Sequence, residues 1–192
     1  MTAARPPARR LVSPTTGLRA AWRAARADWG PGVHEDGFGI GPDDDVDSDD
    51  GFATWVAGLR AAPDATLWWI VVDPDGRDEA GGAGAAADLV GGIALRHPGH
   101  PAAARHGHVG YGVRPGARGR GHASWALARV LEIAAARHGM DHADLVCEQG
   151  NRASARLIEK LGGRATDRPH PGVVRYRVGC HAPRWTGTNP DS

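Results

Sequence analysis

Apolar residues recur along this chain with two periods, and the switch between them predicts an ordered series of strands and helices. The run Thr-Leu-Trp-Trp-Ile-Val-Val over 66–72 is dense in β-branched and aromatic residues and predicts a strand. Residues 89–96 and 108–113 repeat that signature. Asp73-Pro74-Asp75-Gly76 and a connection over 98–107 separate the runs, so the three strands are expected to form an antiparallel meander. Residues 77–88 have no apolar period and read as an extended flexible loop. Helical spacing appears at Leu18, Trp22, Ala25 and Trp29, ended by Gly30-Pro31. It appears again at Phe52, Trp55, Val56 and Leu59, where Ser48 or Asp49 supplies the cap. The strongest helix spans 122–137, with Ala123, Leu127, Val130, Leu131 and Ala134 on one face and Gly139 at its end. A strand over 143–148, a helix capped by Asn151 and closed by Gly162-Gly163, and a strand over 173–178 complete the series. A first strand is expected over 10–13, after a loose start, and 181–192 reads as a disordered tail. No repeat or composition break divides the chain, so one α/β domain over 1–180 is expected.

The candidate chemistry lies between the third meander strand and the strongest helix, in Val113-Arg114-Pro115-Gly116-Ala117-Arg118-Gly119-Arg120-Gly121-His122-Ala123. A strand, a glycine-rich turn and a helix in that order leave free backbone N–H groups at the helix N-terminus, a seat for phosphate oxygens. Gly119 and Gly121 let a ligand approach the backbone, and Arg118 and Arg120 can add charge-assisted bonds. The helix dipole adds about 0.3–1 kcal/mol. A seated diphosphate implies a nucleotide-bearing cofactor. A Walker loop is excluded, because no Gly-Lys-Ser/Thr follows and the only lysine is Lys160. The dinucleotide fingerprint Gly-x-Gly-x-x-Gly is absent from this segment.

Composition narrows the picture further. The formal net charge is +1, so nothing demands a polyanionic partner, and an arginine-rich nucleic-acid binder is the less favoured alternative. Cys147 and Cys180 show no metal or redox spacing and read as reduced thiols, and no His/Cys/Asp set has metal-ligand spacing. The aspartates over 43–50 do not fall in EF-hand register. They read as a solvated loop, with attraction of a cationic amine as the functional alternative. No secretion signal or membrane-length apolar run is present, so a soluble, cytoplasmic protein is expected, without membrane partners.

The loop Arg118-Gly119-Arg120-Gly121-His122-Ala123, placed between a strand ending Val113-Arg114-Pro115 and the strongest helix, resembles the phosphate loop of the GNAT family of N-acetyltransferases. The downstream Asn151-x-x-Ser154-x-x-Leu157-Ile158-Glu159-Lys160-Leu161-Gly162-Gly163 resembles that family's Asn-x-x-Ala/Ser helix, and 89–97 resembles the strand before its cofactor strand. The likeness covers 66–178, with 1–65 as the variable acceptor side. It implies a mixed, mostly antiparallel twisted sheet flanked by helices, with acetyl-CoA in a V-shaped split between the strands at 108–113 and 143–148. The implied diphosphate site is Arg118, Gly119, Arg120, Gly121, His122 and Ala123, with Val113, Asn151 and Ser154 along the pantetheine arm.

The implied reaction is acetyl transfer to a small-molecule or peptide amine, by direct attack in a ternary complex, in a family where homodimers are common. Two positions depart from the family pattern. His108 stands where many members place a glutamate base, and becomes the candidate base. Ile158 stands where many place a tyrosine acid, so thiolate protonation falls to Tyr111, Ser154 or water. A non-catalytic acyl-CoA-binding module is therefore the alternative reading. His97, at the end of its strand, is a further candidate for acceptor contact.

Overall fold

Alternation along one strand divides the interior into two cores. In β2 (Ala65–Asp73), Trp68, Ile70 and Val72 enter one hydrophobic cluster, while Leu67, Trp69 and Val71 enter the other. The computed structural model describes residues 8–30, 34, 37–73 and 87–181. The expected loop over 77–88 falls mostly outside them, as do Glu35, Asp36 and the tail from 182. β1 (Ala8–Val12), β2, β3 (Asp88–Arg96) and β4 (Val109–Val113) form an antiparallel sheet in that order. The predicted meander is present. The first strand begins two residues earlier than predicted, because Ala8 and Arg9 already pair with Asp73 and Val72.

A second sheet follows the order β5 (His142–Glu148), β7 (Val173–Gly179), β6 (Arg164–Ala165). The sheet expected from sequence is opened into two at the β4/β5 boundary, and the ladders within both are antiparallel. α1 (Arg19–Trp29) and α2 (Asp49–Ala61) cover one face of the first sheet. Ser48 caps α2 by accepting the Gly51 N–H at 3.0 Å. Trp22 lies at the centre of that layer, with ring centroids 5.1 Å from Phe52 and 5.2 Å from Trp55. α4 (His122–His138) covers the other face through Ala126, Leu127, Val130, Leu131 and Ala134. Gly139 ends it in a left-handed conformation, as its position predicted. α5 (Arg152–Lys160) packs Ile158 into the same core. The short α3 (Ala103–His106), not foreseen from sequence, occupies the β3–β4 connection. Among the described residues no helix is long and apolar enough to cross a membrane.

Backbone crosses backbone where the segment after α1 passes over the sheet. A Cβ on Gly92 would lie 2.3 Å from the Gly37 carbonyl oxygen, and one on Gly37 would lie 2.6 Å from the Gly112 nitrogen. Only glycine permits that approach. The crossing carries Phe38 into the aromatic layer, fully buried. Gly92→Ala is therefore expected to destabilise the fold by about 1–3 kcal/mol through overpacking against a main chain that cannot swing away. Urea unfolding, with midpoint and slope both measured, checks this.

Candidate active site

β4 and β5 touch at one end and then diverge. Gly107 pairs with Leu145, and the His108 N–H donates to the Asp144 carbonyl at 2.5 Å. Beyond that junction no strand pairs with the edge of β4 that faces β5. The split widens into a cleft of about 990 Å³. One end is closed by the glycine-rich turn and the start of α4, the other by Arg96, His106 and His170.

The turn is built to leave amides free. Pro115–Ala117 forms one 3-10 turn, in which the N–H groups of Ala117 and Arg118 bond to the carbonyls of Arg114 and Pro115. Gly119 and Gly121 then adopt φ of +75° and +76°, and a Cβ on either would meet nothing within 4 Å. Gly121 precedes α4 and no side chain caps the helix. The N–H groups from Gly119 to Ser124 find no acceptor among the described residues. A curl of unpaired donors at a helix N-terminus is an anion seat.

Asp28 of α1 anchors the turn, accepting the Gly116 N–H at 2.9 Å and the Arg114 guanidinium at 2.7 Å. Those two bonds hold its carboxyl below the usual range. Arg114 also grips Asp88 at 2.7 Å.

The loop side chains divide in role. Arg118 stacks 4.9 Å over the Trp29 ring and donates Nε to the Val113 carbonyl at 3.0 Å, which fixes it on the cleft wall. Arg120 is exposed, and its carbonyl accepts from Arg9. His122 is only 5% exposed, and its Nδ1 has no partner. Burial, then Arg9 and Arg120, holds its ring neutral-leaning, below the ordinary imidazole value. Ala123 and Val113 line the cleft as well.

Across the cleft, Asn151 caps α5 by accepting the Ser154 N–H at 3.0 Å. The Tyr111 hydroxyl reaches the Ser154 hydroxyl at 2.8 Å. Burial pushes the Tyr111 phenol up to about 12, so it keeps its proton throughout the neutral range. Tyr111, Ser154 and Asn151 thus lie together along the cleft. Ile158 is buried core.

His108 does not join them. It is not among the residues lining the cleft. Its Nδ1 accepts the Asp144 N–H at 3.0 Å, which leaves the neutral ring's hydrogen on Nε2 and no free lone pair. Burial lowers its pKa, against the pull of Asp144. Burial pushes the Asp144 carboxyl up, but the Arg177 fork at 2.9 and 3.2 Å outweighs this and holds it low. The expectation of a base at His108 is corrected: the ring is a brace at the strand junction. His97 is likewise tied elsewhere, to Thr66 Oγ1 at 2.8 Å and stacked on His138.

The cleft contains groups the sequence reading passed over. Arg96 and His106 were hidden inside a strand end and a connection, and His170 in a segment without pattern. A signal was present: Arg96 closes an apolar run with a charge that no carboxylate nearby in sequence would balance. The acidic loop is not part of the cleft lining. Asp49 and Asp47 pair with Arg19 and Arg26 of α1, and Asp45 accepts the N–H groups of Asp47 and Ser48.

The family model described as an acetyltransferase (GNAT) domain matches residues 20–164. The chain belongs to the GNAT family of acetyltransferases, whose members take their acetyl group from acetyl-CoA. Among solved structures, the chain resembles an acetyltransferase from Agrobacterium tumefaciens. The two share 20% identity with a TM-score of 0.56, over 92% of this chain and 96% of that one. It also resembles a point mutant of the spermidine N-acetyltransferase SpeG from Vibrio cholerae. There the identity is 14% and the TM-score 0.56, over 90% of this chain and 95% of that one. At these identities the likeness shows the fold. No curated protein matches the sequence.

The junction at His108 has a pH signature. Its folded-state pKa is depressed, so its contribution is complete above the unfolded value of about 6.5 and is lost as pH falls from there through the folded value. His108→Ala is expected to cost about 1–3 kcal/mol at pH 7.5 by leaving the Asp144 N–H unpaired. The penalty should shrink toward pH 5, read as unfolding midpoints of both proteins across that range.

Proposed function

We propose that this chain transfers the acetyl group of acetyl-CoA to an amine by direct attack in a ternary complex, with the carrier's diphosphate on the amides of Gly119 to Ser124. The row of unpaired donors at the cleft mouth carries this reading. The residues present fit such a group: left-handed Gly119 and Gly121 face open space, and Arg118 and Arg120 flank them. When bound, acetyl-CoA supplies an acyl carbon activated by a thiolate leaving group.

The chain's own residues account for the rest. The free edge of β4 offers backbone groups to the carrier arm and to the oxygen on which charge develops. Val113, Asn151 and Ser154 line that path. Tyr111, always protonated and bonded to Ser154, stands as the acid for the departing sulfur, in place of the tyrosine the family carries at Ile158. The attacking amine must be neutral, and His106 takes its proton. Burial, then the nearby Arg96 and Arg105 charges, lowers the His106 pKa, so the ring is a free base at pH 7.

Saturating acetyl-CoA, at one hundred times its Kd, should raise stability by about 2.7 kcal/mol, seen as a melting shift. CoA release is then followed over an amine panel. Binding with no release for any amine would leave a carrier-binding module instead of an enzyme. Tyr111→Phe should lower kcat by about 10²-fold or more with the KM for acetyl-CoA unchanged. Unaltered kcat removes Tyr111 from the mechanism. In wild type, activity should fall as pH drops through the lowered His106 value, and this limb should flatten in His106→Ala.

A further inference from the structure

The end of the cleft opposite the glycine-rich turn holds, beside His106, a guanidinium that the transfer chemistry does not use. Arg96 closes β3, and its Nη1 donates to the Gly107 carbonyl at 3.0 Å. That is its one side-chain bond, and no carboxylate pairs with it among the described residues. Several other partly buried arginines have carboxylates: Arg114 has Asp28 and Asp88, Arg175 has Asp167 and Asp144, and Arg19 and Arg26 have Asp49 and Asp47. Arg9 and Arg10 of β1 are partly buried too, but neither lines the cleft. Arg118 has the Trp29 face and the carbonyl of Val113. Glu148 also lines the cleft, at the end of β5, and makes no ion pair with Arg96. A half-buried guanidinium with most of its five donors idle is costly to keep. The cost is recovered when an anion arrives.

Its position identifies the molecule that brings the anion. Arg96 and the amide-lined turn lie at opposite ends of β4, roughly 16 Å apart at about 3.3 Å per residue. The carrier's phosphates therefore occupy the far end. Gly110 of β4 lies beside the guanidinium: an added Cβ there would meet Nη1 at 3.9 Å. Ala94 and Gly110 pair across the strands and line the cleft beside it, so the floor next to the guanidinium is nearly bare of side chains. The space in front of Arg96 thus belongs to the acceptor.

We infer that the acceptor amine carries a carboxylate, which Arg96 binds while the amine lies over the bare floor at Gly110. This rests on the acetyltransfer reading above. A single fixed charge suits a monoanion, because the neighbouring His106 is a free base at neutral pH. The planar fork matches a carboxylate in two bonds. A polyamine would meet repulsion at this wall.

The test compares acceptors that differ in the carboxylate alone: free α-amino acids against their amides, and short peptides with a C-terminal carboxylate against amidated ones. Spermidine is the cationic control. Wild type should favour the carboxylate form by about 10–100-fold in kcat/KM. The free-amino-acid and peptide arms tell which source provides it. Arg96→Gln keeps a donor for the Gly107 carbonyl. It should abolish the preference by raising the acceptor KM, with the KM for acetyl-CoA unchanged. Preference for amides or spermidine, turnover of no carboxylate-bearing amine, or discrimination that survives in Arg96→Gln would overturn the inference. Acetyl-CoA binding, measured by calorimetry on the same samples, separates the outcomes. If acetyl-CoA binds and spermidine is acetylated, only the acceptor assignment fails. If it does not bind, the transfer reading fails as well.

Discussion

A sheet that stops pairing is the constraint on which everything else depends. Strands β4 and β5 are joined at Gly107–His108 and Asp144–Leu145, and among the described residues nowhere beyond. An unpaired strand edge inside a protein is a liability, since its donors and acceptors require partners. Here the unpaired edge lines a cleft. The junction is braced from both sides: the His108 ring accepts the Asp144 amide, and Arg177 clamps the Asp144 carboxylate. The brace fixes where the strands part, and so where the cleft opens.

The two faces of the first sheet serve different partners. Toward α4 the core is aliphatic and supports the helix whose N-terminus holds the free amides. Toward α1 and α2 it is aromatic, built on Trp22, Phe52, Trp55 and Trp69. β2 feeds both by simple alternation. β3 does so with a shift: opposite the Ile70–Val71 step its register slips by one residue, so Leu89 and Ala94 face the aromatic layer while Val90, Ile93 and Leu95 face the aliphatic one. Asp28 ties the layers together by holding the phosphate turn from α1.

Most of the fold was legible from local patterns, for physical reasons that differ by element. The β2 strand announced itself as a short unbroken run of apolar, β-branched and aromatic residues, which both cores bury, and α4 because a period-3.6 run commits one face to burial. The caps at Ser48, Asn151 and Gly139 were legible because side-chain oxygens and a left-handed glycine satisfy backbone groups locally. The conformation of the glycine-rich turn was legible because backbone order, a strand followed by glycines and a helix, positions it. His108 misled because sequence shows that a histidine occupies the strand end but not which way its ring turns. Its partner, the Asp144 amide, comes from another sheet. Arg96, His106 and His170 were missed for the same reason: three segments bring them together, and no spacing within one segment encodes that meeting.

Trp29 has a consequence for observing the molecule. Six other tryptophans contribute to emission from this chain, but Trp29 lies at the cleft wall, between the Arg118 guanidinium and the His34 ring. Its indole reports on the local field beside the glycine-rich turn, while Trp22, Trp55 and Trp69 report on the aromatic interior. The chain thus contains an optical probe of that end of the cleft, separable by a single substitution from the fluorescence of the core.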